Sequence, residues 1–297
     1  MARKGRRLTD AERAERRRRE RERLEQATAE LLTSDGWRRW LRARSVLHGY
    51  SLQNTLLIAQ QCHARGIEPT HVAGFRAWLR LGRVVRKGET GLRIWAPMRI
   101  KVRDEHGEEG EERKLRFRSA TVFDVSQTEP LPGVEPTPLS PPGADGLGGD
   151  SHADLLAALE QFAADGGYSV SWVDQLSGGA KGRCRGRTRS LEVLTGLPAN
   201  DRVQVLIHEL CHMLVRERGE LSGFSYGLEE VVVESATFIA CASVGLATDV
   251  ESVPYIAGWA RDEEPAEVVR ATAEAIDTLA RLIEDAIAPR EGEEAAA

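Results

Sequence analysis

Residues 92–103, "LRIWAPMRIKVR", place Leu92, Ile94, Ala96, Met98, Ile100 and Val102 on even positions and Arg93, Trp95, Arg99, Lys101 and Arg103 on odd ones. A period of two predicts a strand with one buried and one wet face. The segment "KLRFRSATVFDV", 114–125, repeats the pattern in its first half, with Lys114, Arg116 and Arg118 alternating with Leu115 and Phe117. Paired, the two strands predict a sheet with one apolar face and one face bearing a row of cations around Trp95. Turns are expected at "RKGETG", which holds Arg86 and Lys87, and at "DEHGEEGEE".

Elsewhere the period is helical. Thr9 and Glu12 form a capping box that opens a charged helix running toward Gly36. This Arg/Glu run can either track phosphates or form a solvated helix laced with ion pairs. A second helix is expected at about 51–64, and Phe75 and Trp78 in "GFRAWLRLG" read as core. Residues 128–150 are rich in Pro and Gly and lack periodicity, which predicts a linker. A helix near 152–165, a strand at 168–173, a Gly/Arg hairpin at 178–194 and further helices follow. The expected fold class is α+β in two domains: 1–130, with a charged helix over 1–35, and 151–290. A linker at 131–150 joins them and an acidic tail, 291–297, ends the chain.

Composition sharpens this division. The formal net charge of −5 conceals 29 basic against 18 acidic residues over 1–130, net +11, and 12 against 28 over 131–297, net −16. A basic half of this size points to a polyanion. The N-terminus is basic but lacks an apolar core, so it does not read as a secretory signal, and no run reaches the roughly 20 apolar residues of a membrane span. A cytoplasmic protein without membrane partners is expected. Cys62, Cys184, Cys211 and Cys241 lie far apart without a CxxC, which predicts reduced thiols.

The second half carries the chemistry. "HELCH", 208–212, matches HExxH, which sets His208 and His212 on one helix face where both can bind one metal ion. The surrounding Val203, Val205, Leu206, Ile207, Leu210, Met213 and Leu214 predict a helix buried on much of its surface, where two histidines and a glutamate are costly without a purpose. The helix "YGLEEVVVESATFIACASVG", 226–245, stacks Glu230 and Glu234 on one face. Glu234 lies deeper in the apolar run and is the expected third ligand for Zn2+. Glu230 is expected to orient a histidine from behind, and Glu229 to be solvated. Glu209 is the expected catalytic base, and Tyr226 the candidate oxyanion partner. Arg183, Arg185, Arg187 and Arg189 fit either the border of a cleft or a solvated hairpin edge.

The stretches "YSLQNTLLIAQQ" (50–61), "VAGFRAWLRLGRVVRKGETGLRIWAPM" (72–98) and "ATVFDVSQTEPLP" (120–132) resemble the single-stranded-DNA-binding domain of ArdC-type antirestriction proteins. "HELCH" followed by "EEVVVESATFIA" is similar to the gluzincin domain of those proteins and of ImmA/IrrE-type metallopeptidases. The resemblance implies an N-terminal domain that binds single strands without strong sequence preference. It also implies zinc held by His208, His212 and Glu234, with Glu209 catalytic. Single-strand binders combine cationic grooves with aromatic platforms, and Arg86, Lys87, Arg93, Trp95, Arg99, Lys101, Arg103, Arg116 and Arg118 offer both. A solvated sheet face fits the cation row equally well. The expected function is a single-stranded-DNA-binding protein with a zinc metallopeptidase domain that meets a protein partner on DNA. Two alternatives are a zinc endopeptidase without DNA binding and a DNA-shielding module whose zinc is structural.

Overall fold

The computed structural model describes residues 15, 18–19, 22, 25–47, 49–103, 109–137, 139, 145–146, 149–219, 225–247 and 265–288. They form two compact units: Gln53–Thr137 with the described residues up to Leu31, and Leu32–Leu52 with the described residues beyond 137. The mixture of helix and sheet agrees with the α+β expectation.

The charged N-terminal helix does not run on to Gly36. Residues 25–30 are helical, the chain turns at 31–33, and Thr33 starts a new helix, α1 (Ser34–Val46). Its hydroxyl accepts the Gly36 N–H at 3.0 Å, so Gly36 lies in a first turn rather than at a helix end. The Thr9 to Glu12 capping box lies outside the described residues.

In the first unit, α2 (Leu52–His63) precedes β1 (Val72–Gly74), α3 (Phe75–Arg80), β2 (Arg83–Val85), β3 (Leu92–Arg103), β4 (Glu109–Asp124) and β5 (Thr128–Pro130). One antiparallel sheet has the order β1-β4-β3, and β2 pairs with β5. Helix α2 lies along the outer edge of β3. Asn54 bonds both the N–H and C=O of Trp95 at 2.8 Å, and Gln61 does the same for Arg93 at 2.9 Å. Leu92, Ile94 and Val122 are buried on the core face. Trp78 is buried too and donates to the Phe123 carbonyl at 2.9 Å, whereas Phe75, expected in the core, is 47% exposed because α3 packs its Trp78 side inward. Residues 131–137 pack on this unit: Leu131 N–H bonds Gly82 O and Thr137 N–H bonds Leu81 O.

The β3–β4 register revises the expected cation face. Ala96 lies opposite Arg118, Met98 opposite Arg116 and Ile100 opposite Lys114. Directly opposed residues share a face, so Arg116 and Arg118 stand on the side of the even, apolar positions of β3. Arg93, Trp95, Arg99 and Lys101 share the other side with Thr121, Ser119, Leu115 and Arg113. Each strand alternates as expected. The pairing is offset by one position from the one that would align their cations, and an offset of one exchanges faces.

In the second unit, α4 (Leu155–Asp165) precedes β7 (Ser169–Val173), β8 (Gly182–Arg185), β9 (Ser190–Leu194), α5 (Ala199–Arg218), α6 (Tyr226–Ser243) and α7 (Pro265–Ile287). Its principal sheet runs β7-β9-β8, with β7 parallel and β8 antiparallel to β9; β6 (Asp145–Gly146) and β10 (Leu246–Ala247) make a short parallel pair. Helix α6 packs against α1, α5 and α7. Trp37 and Trp40 of α1 are fully buried with ring centroids 5.1 Å apart. The four cysteines are free, and no helix among the described residues is long and apolar enough to cross a membrane.

Arg44 is the ionic joint of this unit. Its fully buried guanidinium grips Glu284 with two nitrogens, at 2.9 and 2.8 Å, and Asp277 with Nε at 2.5 Å. A bidentate fork fixes α1 on α7 directionally, as a lysine would not. Removing one partner of a buried pair strands the others. Arg44→Ala is therefore expected to lower the unfolding free energy by about 3–5 kcal/mol, measured by chemical denaturation.

Candidate metal centre and cationic strand face

Helix α5 ends at Gly219, whose left-handed φ of 60° and N–H to Val215 O close the last turn. Its apolar face is buried through Val203, Leu206, Ile207, Leu210 and Leu214. That burial sets the face holding His208 and His212 toward α6, with ring centroids 4.9 Å apart and an interplanar angle of 73°. Ligand atoms of His208, His212 and Glu230 lie within 4.8 Å of one another. Glu230 reaches toward both Nε2 atoms, at 3.9 Å from His208 and 3.6 Å from His212.

The outer nitrogens are also engaged. Glu229 accepts from His212 Nδ1 at 2.9 Å, which leaves the Nε2 lone pair facing inward. Glu229 is thus a positioning partner rather than the solvated residue expected. Glu234 stands 3.6 Å from His208 Nδ1, on the opposite side of the ring from Glu230. Its side chain is 43% exposed against 27% for Glu230. The geometry therefore favours exchanging the expected roles, with Glu230 as third ligand and Glu234 behind His208. Depth in the apolar run does not separate the two carboxylates; the crossing of α5 and α6 sets Glu230 toward the Nε2 pair and Glu234 toward His208 Nδ1.

Electrostatics fit a metal. Burial, aided by the neighbouring His212, lowers the His208 pKa to about 4, so its imidazole is neutral with a free lone pair. Burial raises Glu209 to about 7 against the opposing effects of His212 and the Cys184 N–H. Two bare imidazole nitrogens and a carboxylate suit a divalent metal ion.

Strand β8 closes over the helix from the other side. A Cβ on Gly182 would lie 2.5 Å from Val205 Cγ1 and 2.7 Å from Glu209 Oε1, so only glycine fits there. Gly182, Arg183, Cys184, Arg216 and Glu230 line a cavity of about 310 Å³ with the two histidines and Glu209. A second cavity, of about 370 Å³, includes Ala180, Lys181, Gln204, Val205, Glu234 and Thr237 and shares His208 and Glu209. Arg183 lines the first cavity and bonds Ser177, whereas Arg185 pairs with Glu192 at 3.0 Å and Arg189 with Glu217 at 2.8 Å. Only the first of these borders the cleft. Gly182, Cys184 and Arg216 carry no motif, and the Tyr226 side chain lies outside the described residues.

On the N-terminal unit, Arg93 is exposed and donates to Thr121 Oγ1 at 2.8 Å, and Trp95 is half-buried. Arg86 pairs with Glu89 at 2.7 Å, and Lys87 and Arg118 are exposed. A hydrogen bond from Gln127, then one from Arg86, holds the Glu89 carboxyl below its ordinary pKa. The side chains of Arg99, Lys101, Arg103 and Arg116 lie outside the described residues, although their backbones pair in the hairpin.

The two carboxylates can be separated by measurement. Glu230→Gln is expected to weaken divalent-metal binding more than about 100-fold, beyond the roughly 10- to 100-fold of an outer-sphere partner, which is the range expected for Glu234→Gln. Calorimetric titration with zinc checks this, and a larger loss in Glu234→Gln would restore Glu234 as the ligand.

Residues 21–123 match the family model described as the N-terminal domain of anti-restriction factor ArdC. The Mn(II)-bound antirestriction protein ArdC from plasmid R388 is 20% identical, with 90% of this chain and 99% of that one covered at a TM-score of 0.53, a likeness of fold. Its metal-free structure aligns at 22% identity over 79% and 84% of the two chains, with a TM-score of 0.48. The uncharacterized protein y4eC of Sinorhizobium fredii (strain NBRC 101917 / NGR234) is 27% identical over 224 residues, 69% of this chain and 68% of that protein. Residues 21–123 thus carry a domain of the ArdC N-terminal type, and the chain as a whole is similar in fold to the R388 protein.

Proposed function

We propose that this chain is an antirestriction-type protein that binds single-stranded DNA with its N-terminal unit and hydrolyses peptide bonds of a protein partner with a zinc centre in its C-terminal unit. The observation that carries the hydrolytic half is the convergence of His208, His212 and Glu230 beside the buried Glu209. The ArdC-type N-terminal domain supports the DNA half.

His208, His212 and Glu230 would hold the ion, with Glu229 and Glu234 fixing the two imidazoles from behind. A zinc ion there supplies Lewis acidity toward a water and a carbonyl oxygen. Glu209 does the proton work: its carboxylate takes a proton from the attacking water and returns it to the leaving amine, a shuttle suited by its raised pKa of about 7. The Cys184 N–H and the absence of a side chain at Gly182 hold that carboxylate at the cleft. Strand β8 is the edge of its sheet beside the cleft, so an extended peptide can add along it as a further strand. The R388 protein is described as bound to Mn(II); for this chain the two imidazoles favour zinc.

In the first unit, Arg93, Arg99, Lys101 and Arg103 of β3 supply the positive charge, with Lys87 at the preceding turn. Binding a strand brings the cleft to proteins working on that DNA, which fits interference with restriction and a mobile-element setting.

Fluorescence anisotropy of the full chain across a salt series tests the DNA half. Single strands are expected to bind more tightly than duplex, with log affinity falling against log salt at about 0.7 per phosphate contacted. Binding to neither at low salt removes this half. Glu209→Gln is expected to leave DNA affinity unchanged and to reduce zinc-dependent cleavage of a fluorescein-labelled unfolded protein by about 10²- to 10⁴-fold. Equal cleavage by the variant would remove Glu209 from the chemistry. Absence of cleavage in the parent protein would leave the metal a structural role.

A further inference from the structure

We propose that Phe117 and Trp95 form a two-ring platform on which bases of single-stranded DNA stack, on the sheet face opposite Arg116 and Arg118. This deepens, and rests on, the single-strand reading above.

The strand register carries the argument. Pro97 lies opposite Phe117 and Trp95 opposite Ser119, so Phe117 and Trp95 are diagonal neighbours on one face. Diagonal neighbours in an antiparallel pair lie about 7–8 Å apart, within reach of two aromatic side chains. Phe117 is 62% exposed, more than Phe75, Leu79, Met98 or Val134, the other large apolar side chains on the surface of the described residues. Alternation along β4 alone would put Phe117 on the apolar side. The register puts it instead with the exposed Arg93.

The platform is built to stay open and in place. The residue facing Trp95 is the small Ser119, so no bulky neighbour lies directly across from the indole. The backbone of Trp95 is held on one edge by β4 and on the other by both groups of the Asn54 amide at 2.8 Å. The indole, carried by a strand held on both edges at that point, can stack on a base without first being ordered, and Phe117 stands beside it on β4.

Chemistry selects the occupant. The rings share their face with the guanidinium of Arg93, and residues 1–130 carry net +11. Aromatic rings flanked by cations suit an unpaired strand, whose bases offer π-faces while its phosphates meet the positive charge. Duplex DNA hides those faces. The platform therefore supplies a preference for single strands that cations alone do not, and it does so without reading sequence.

The full chain with Phe117→Ala, Phe117→Trp and the parent protein can be titrated by anisotropy with a mixed-sequence single strand and with an abasic strand of equal length. Phe117→Ala is expected to weaken binding of the base-bearing strand by about 5- to 150-fold, equivalent to about 1–3 kcal/mol. The salt slope stays unchanged, and Phe117→Trp restores affinity. On the abasic strand Phe117→Ala and the parent are expected to bind alike. Equal losses on both strands, or no loss on either while the parent binds, would overturn the platform. A change in sedimentation of Phe117→Ala without a change in DNA affinity would also overturn it, and would assign the ring to contact between copies of the chain. If the parent binds neither strand, the single-strand reading fails first and takes the platform with it.

Discussion

The missing side chain at Gly182 lets strand β8 press against helix α5 where a single added carbon would strike Val205 and Glu209. The arrangement of the metal centre follows from that approach. Because the strand lies so close, the Cys184 N–H meets the Glu209 carboxylate, and that carboxylate is buried deeply enough for its proton affinity to rise toward neutrality. Helix α6 closes the other side and delivers three carboxylates, each to a different nitrogen face of the histidine pair. The centre is thus a sandwich of one strand and two helices, and its chemistry is set by distances that backbone packing imposes.

Much of this was legible in the sequence because helical spacing is local information. Two histidines four residues apart share a face wherever the helix goes. The carboxylates were harder to read, since Glu230 and Glu234 also share a face. The angle at which α6 crosses α5 chooses between them, and no local pattern encodes that angle. Apolar surroundings pointed to Glu234, whose side chain is the more exposed of the two. The same limit appears in the sheet. Alternation identified both long strands, but a pairing offset of one residue divides their cations between two faces and moves Phe117 to the side of Trp95.

Allegiance over distance was the least legible feature. Nothing in "SDGWRRWLRARSV" shows that this helix leaves its neighbours in sequence to pack with helices roughly two hundred residues later. The structure explains the move by composition. Trp37, Trp40 and Leu41 need a large apolar partner, which α6 supplies, and Arg44 needs the acidic pair that α7 presents. An arginine with no exposed surface is tolerable only where carboxylates wait for it.

The amides of Asn54 and Gln61 carry one more consequence. A strand at the margin of a sheet is an invitation to any extended chain, since its outward N–H and C=O groups seek partners. Along Arg93 and Trp95 those groups are already satisfied by side chains of α2, as though a foreign strand were present. Strand β8 has no such guard among the described bonds beyond the contact of Cys184 with Glu209. One sheet has its edge backbone closed by side chains at these positions; the other presents the edge strand β8 beside the cleft. At Arg93 and Trp95 the first sheet thus offers an incoming strand no free backbone, whereas β8 keeps the second sheet's margin beside the cleft.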